Sequence, residues 1–201
     1  MDDNLGFWEK SAGLYSIQEK KDKGLYDEIA LLASQYLNKT KTILELGCGT
    51  GQLALRLKDN AKSYEATDFS KAMIKHALKR EIKGASFKVM DATALEYEDE
   101  SFDTIIIANV LHIVPEPEKI LLEAYRVLKP GGLLIAPTFI YDDEPSGLRM
   151  KVLSLAGFKV FTKWSTKEFQ RFIRNHGFKV LETKKIPGKT AGNLFLVGKK
   201  L

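Results

Sequence analysis

The stretch that most narrows what this chain can fold into is TILELGCGTGQLALRL, residues 42–57. An apolar run ends in Glu45 and Leu46. Three glycines follow at alternate positions, Gly47, Gly49 and Gly51, and apolar residues then return at helical spacing through Leu53 and Leu57. A strand, a flexible turn and a helix in immediate succession open a βαβ unit, which commits the chain to parallel strands joined by crossover helices. The sequence that follows keeps to this pattern. SYEATD, ASFKVMD and FDTIIIANV read as strands two to four and LLIAPTF as the fifth. The β-branched run in FDTIIIANV suits a strand buried on both faces. Helical stripes alternate with these strands: Leu25, Ile29, Leu32 and Tyr36 before the first, Met73, Ile74, Ala77 and Leu78 behind an N-cap at Ser70, and Ile120, Leu121, Ala124 and Leu128 behind Pro115 and Pro117, with KPGG as the stop.

The rhythm breaks at residues 140–163, where YDDEPSG is turn-like and LRMKVLSLAGF reads as a short helix, an insertion over one sheet edge. It returns at STKEFQRFIRNHGF, in which Ser165 and Glu168 form a capping box and Gly177 the C-terminal stop. Two last strands, near KVLETKKI and NLFLVGKK, are joined only by PGKTAG, too short for a parallel crossover. The expected fold is α/β: a Rossmann-like, doubly wound, seven-stranded sheet, mostly parallel with a C-terminal antiparallel hairpin and helices on both faces. The expected division is one domain over 1–201, with an N-terminal segment (1–24), a core (25–139), a variable insertion (140–163) and a closing helix and hairpin (164–201).

Composition excludes several classes. With 201 residues, 44% hydrophobic and 28% charged, the chain suits one globular domain with a full core. No window approaches the ~18 to 20 apolar residues of a membrane helix, and the N-terminus MDDNLGFWEK lacks an apolar signal core, so the expected location is cytoplasmic. A single cysteine, Cys48, rules out an intrachain disulfide and a cysteine-cluster zinc site. The net charge of +5 comes from lysines spread along the chain, which reads as a solvated surface rather than an arginine stripe tracking a phosphate backbone.

In a doubly wound sheet, ligands bind beyond the carboxyl ends of the strands where strand order reverses, and the glycine turn lies at that point. Its G-x-G-x-G spacing is weak evidence by itself. The polar residues closing the neighbouring strands add to it: Asp68 after strand two, Asp91 after strand three and Asn109 after strand four. An acid placed as Asp68 is can accept both hydroxyls of a ribose, or it can cap the helix that follows.

The segments ILELGCGTG, EATDFSKAMI, FKVMDATAL, FDTIIIANVLHIV and EAYRVLKPGG together resemble the class I S-adenosylmethionine-dependent methyltransferases of the small-molecule type, over residues 25–139. The resemblance implies S-adenosyl-L-methionine as cofactor, S-adenosyl-L-homocysteine as product and no metal. It implies that Gly47, Cys48, Gly49 and Gly51 wrap the methionine part, with Glu45 acting on its ammonium or ordering the loop. Asp68 would bind the ribose, Phe69 and Met73 would flank the adenine, and Asp91 with Ala92 would read its amino group. Asn109, Val110 and Leu111 would approach the transferable methyl. Tyr15 is the preferred member of an aromatic entrance segment that includes Phe7 and Trp8, and His112 and Tyr15 are the candidates for a catalytic role. Trp8, His112 and Trp164, with Phe161, are candidates for lining the acceptor pocket. The implied partner is a small-molecule or lipid-like acceptor reached by in-line displacement, with peripheral membrane contact and a monomer or weak homodimer. Competing readings are a nucleic-acid methyltransferase, disfavoured by NVLH where base modifiers carry a D/N-P-P-Y/F motif, a nicotinamide-dependent oxidoreductase, disfavoured by the glycine spacing and the closing hairpin, and a cofactor-binding protein without turnover.

Overall fold

A computed structural model describes residues 4–21, 23–142, 159–187 and 192–201. Most of the proposed insertion and the tip of the C-terminal hairpin fall outside these residues. The central sheet begins with β1 (Thr42–Leu46), β2 (Ser63–Asp68), β3 (Ala85–Val89), β4 (Phe102–Ile106) and β5 (Leu128–Ile135). These five run parallel in the order β3-β2-β1-β4-β5. Strand order reverses at β1, as the glycine turn requires.

The far edge differs from the expected seven strands. The segment read as strand five continues past a break at Ala136 and Pro137 into a short β6 (Thr138–Ile140). The final strand, β8 (Gly192–Lys200), pairs antiparallel with β5 through Leu133–Ile135 and then with β6 through Thr138–Ile140. Its other edge carries β7 (Phe178–Ile186). β5 and β6 are therefore one interrupted strand alongside β8. Proline has no N–H to give a ladder, which is why pairing stops at Pro137, while the Ala136 N–H still reaches Leu196 O at 2.9 Å. The antiparallel closing hairpin is present as expected.

The helices are α1 (Leu5–Lys21), α2 (Lys23–Ser34), α3 (Gln52–Leu57), α4 (Lys71–Leu78), α5 (Pro117–Val127) and α6 (Thr166–Asn175). Alternation along each strand sorts the core onto two faces. Leu44, Leu46, Ile105 and Leu134 face α5 and α6, whereas Ile43, Ile106 and Ile135 face α2 and α3. The Ser165–Glu168 capping box starts α6, and Pro117 is the first residue of α5. α1 was not evident in the sequence. It carries Gly6 and Gly13 in its interior, each worth about 0.5–1 kcal/mol against the helix relative to alanine. Its position comes from tertiary contacts. Asn4 Nδ2 donates to Ile113 O (2.7 Å) and Lys159 O (2.9 Å), and Glu9 Oε1 accepts from Ser70 Oγ (2.8 Å) and the Ala72 N–H (3.3 Å) at the start of α4.

Candidate functional site

At the carboxyl ends of β1, β2, β3 and β4 the structure forms an open cavity. Its walls include Glu45, Gly47, Cys48, Gly49, Asp68, Phe69, Met73, Asp91, Ala92, Asn109 and Val110, together with Trp8. These are residues that the strand-end pattern and the family resemblance singled out, and the fold gathers them from the ends of four strands and from two helices. Sequence reasoning missed others in the same wall: Asn4, Tyr26 and Gln52, and the apolar Met90, Ile113 and Ile120. Met90 and Ile120 had a legible signal, since each sits beside a motif residue on its element; Asn4 had none, since its contacts are far away in sequence.

The glycine turn is held mainly by its own N–H groups, with Arg80 Nη2 donating to Thr50 Oγ1 at 3.1 Å. Gly47 N and Cys48 N both donate to Thr67 O (2.8 and 2.9 Å), Gly49 N donates to Asp68 Oδ2 (2.8 Å), and Gly51 N donates to Cys48 O (2.9 Å). All three glycines have positive φ, 72°, 53° and 82°. The crowding that excludes a side chain comes from protein. A Cβ on Gly47 would lie 2.3 Å from Val110 Cγ2, and one on Gly51 would lie 3.1 Å from the Phe87 ring. At these two positions glycine meets the positive φ of the turn and the close packing of Val110 and of Phe87 on β3. Gly51 is also absent from the cavity wall.

Asp68 and Glu45 are buried, and Asp91 is partly exposed. Asp68 Oδ2 takes the Gly49 N–H and its Oδ1 takes the Ser70 N–H at 2.9 Å. Ser70 itself caps α4, its Oγ accepting from Met73 N at 3.2 Å. The aspartate thus braces the glycine turn against α4, and burial pushes its carboxyl up to about 6 despite those two N–H groups. Glu45 is 2% exposed and accepts from Tyr64 Oη at 2.9 Å. Burial pushes it up to about 8; the Tyr64 hydroxyl and the Ala54 N–H at the start of α3 pull it down, and Asp68 pushes it further up. Asp91 Oδ1 receives the Thr93 N–H and hydroxyl, both at 2.8 Å, forming a turn instead of a helix start. The Cys48 thiol is raised by burial, which keeps it from acting as a thiolate.

Asn109 leaves β4 with φ of 58°, its N–H bonded to Pro137 O at 2.8 Å. Its Oδ1 accepts from Asn193 Nδ2 at 2.7 Å, a partner 84 positions away on β8. Leu111, His112 and Trp164, by contrast, do not line the cavity. Leu111 is 1% exposed within the core under α5. Trp164 stacks on Phe172 and Phe169 of α6. His112 packs edge-on to Phe139, its Nδ1 3.2 Å from Thr138 Oγ1, and burial lowers it to about 3. So weak a base is poorly matched to proton abstraction near neutral pH. The expected contact, substrate and base roles are corrected accordingly: the turn after β4 points Leu111 and His112 into the core, and Trp164, just ahead of α6, packs onto that helix. The Phe161 N–H donates to His112 O of this turn at 2.9 Å, and Phe161 does not line the cavity. The Tyr15 side chain lies outside the described residues.

A family profile described as "Methyltransferase domain" matches residues 44–136, the span that builds every strand end at this cavity. Over that span the chain is similar to the class I S-adenosylmethionine-dependent methyltransferases. Among solved members, an S-adenosylmethionine-dependent methyltransferase from Thermotoga maritima is 26% identical, with a TM-score of 0.77 and coverage of 98% of this chain and 99% of that one. A 27-O-demethylrifamycin SV methyltransferase from Amycolatopsis mediterranei is 28% identical over 86% of this chain and 64% of its own length. A phosphatidylethanolamine N-methyltransferase from Cereibacter sphaeroides is 35% identical over 56% of this chain and 58% of its own. The chain spans between 40% and 64% of the lengths of these and similar curated relatives. Among its described residues, no helix is long and apolar enough to cross a membrane.

Proposed function

We propose that the chain binds S-adenosylmethionine in this cavity and transfers its methyl group to a small-molecule or lipid-like acceptor. One observation carries the reading: the glycine turn has no spare N–H at Gly47, Cys48, Gly49 or Gly51, while carboxylates stand in the wall. A dinucleotide site offers such N–H groups to a pyrophosphate. Here they are consumed by Thr67, Asp68 and Cys48, and the donor set fits a ligand that is cationic and carries no phosphate. This weighs against the nicotinamide alternative on geometry.

When bound, the cofactor supplies a sulfonium that makes its methyl electrophilic. The chain's residues bind and orient. Asp68 keeps lone pairs beyond its two N–H bonds and takes the ribose hydroxyls. Phe69, 42% exposed, and Met73 flank the adenine, and Asp91 with the Ala92 backbone reads its edge. Glu45 faces the ammonium end, where a cation offsets the cost of its buried charge. Gly47, Cys48 and Val110 shape the wall about the methionine part, with Asn109 beside the reacting end. Trp8 on α1 and Asn4 just ahead of it line the cavity, and on this reading residues 1–24 form an entrance segment. Orientation of the acceptor supplies most of the rate, and no general base is assigned. The acceptor is assigned as amphipathic because relatives are named for phosphatidylethanolamine and demethylmenaquinone.

Calorimetry with S-adenosylhomocysteine tests the cofactor. Binding by the wild type, weakened by roughly 1–3 kcal/mol in Asp68→Ala through lost hydrogen bonds, is expected. Binding of NAD with none of S-adenosylhomocysteine would overturn the reading. Release of S-adenosylhomocysteine over phospholipid, quinone and soluble amine pools tests the acceptor; turnover confined to the soluble amines sinks the lipid-like assignment.

A further inference from the structure

Asn193 is an odd residue for its place in the sheet. It lies on β8 opposite Phe139 of β6 and Ile186 of β7, is 1% exposed, and precedes Leu194, Phe195 and Leu196, which are all buried. An aliphatic side chain there would complete the core. Instead its Nδ2 donates to Asn109 Oδ1 at 2.7 Å, and its own Oδ1 is buried without a partner. Exchanging oxygen and nitrogen in both amides would leave the whole Asn193 NH2 buried without a partner instead of its oxygen, and a buried N–H group left orphaned is rarer than an under-satisfied carbonyl. The donor direction is therefore from Asn193 to Asn109.

This direction decides what Asn109 offers. Its backbone is fixed by the bond to Pro137 O and by its left-handed φ. Its side-chain oxygen is engaged, so Nδ2 is the free end of a carboxamide that belongs to the cavity wall. We propose that Asn193 is a positioning residue for this site: it holds the Asn109 carboxamide so that Nδ2 donates a hydrogen bond to an oxygen of the bound ligand, a carboxylate or carbonyl. The inference rests on the cofactor reading above and adds to it a residue from the last strand, remote from the glycine turn. A purely structural amide would be expected to pair fully or to be replaced by an apolar side chain, because a half-satisfied buried amide is less stable than either.

The test uses the full chain with Asn193→Leu, Asn109→Ala and the double variant; Asn193→Val stands in if leucine overfills the site. Asn193→Leu is expected to unfold at or above the wild-type temperature, since the stranded oxygen is gone, yet to bind S-adenosylhomocysteine about tenfold more weakly, the value of one hydrogen bond. The double variant is expected to bind no worse than Asn109→Ala alone. Wild-type affinity in Asn193→Leu, or losses that add in the double variant, would overturn the proposal. If the wild type binds no S-adenosylhomocysteine, the cofactor reading has failed, and side-chain amide NMR decides the pair by itself. The Asn109 carboxamide protons should be ordered in the wild type and averaged in Asn193→Leu, and unchanged Asn109 resonances would refute the positioning role.

Discussion

Glu45 is the residue at which burial and function pull hardest against each other. Its carboxyl moves from the usual 4.5 to about 8 because it is buried, with only Tyr64 and the Ala54 N–H in compensation. The folded protein therefore holds a proton that the unfolded chain releases. Its contribution to stability is complete below about pH 4.5, declines as pH rises between these values, and is gone above about pH 8. Glu45→Gln keeps the shape and removes the titration. The expected outcome is a flatter dependence of unfolding temperature on pH between 5 and 9 in Glu45→Gln than in the wild type, measured by calorimetry. Parallel curves would mean that Glu45 stays ionised in the fold. Glu45 was legible as a site residue because it closes an apolar strand just before the glycines. That it is buried and bonded to Tyr64 was not, because the two are brought together only when β1 pairs with β2.

Among the elements, two helices start on side-chain caps of very different reach. α6 begins on Ser165 and Glu168, three residues apart, and that cap was readable directly from the sequence. α4 begins on Ser70, but Glu9 of α1 reaches its first turn from 61 positions away, where no local pattern could signal it. The first cap is remote from the cavity wall and the second adjoins it. Ser165→Ala is expected to cost about 1 kcal/mol in urea unfolding and to leave S-adenosylhomocysteine affinity unchanged. Glu9→Ala is expected to cost less, about 0.3–1 kcal/mol for a carboxylate lost from an exposed helix N-terminus. It should also speed hydrogen exchange along α1, because the Glu9 carboxylate ties that helix to the start of α4. Exchange in α1 matching the wild type would show that its other contacts suffice to hold it. Strand existence was legible throughout, since alternating and β-branched runs are local; the division of β5 from β6 was not, since it depends on which end of β8 each half meets.

For the whole molecule, the sheet order brings residues from both termini onto one cavity: Trp8 of α1 and Asn4 just ahead of it, and Asn193 of β8 acting through Asn109. A ligand bound there links the N-terminal helix to the parallel core. At a concentration one hundred times its dissociation constant, S-adenosylhomocysteine is expected to add about 2.7 kcal/mol to stability, with protection extending into α1. A thermal shift confined to the core amides, with α1 exchange unaltered, would separate the helix from the site. The order β3-β2-β1-β4-β5 followed from the glycine turn and the alternation of elements. The contributions of α1 and β8 did not, because both are made by contacts between the ends of the chain.

The self-paired glycine turn also decides which solutes can compete for the cavity. Inorganic phosphate and sulfate meet no spare N–H at Gly47, Cys48, Gly49 or Gly51, and are expected to leave titrations with S-adenosylhomocysteine undisturbed. Small organic cations are expected to compete better, the more so above about pH 8, where Glu45 gives up its proton.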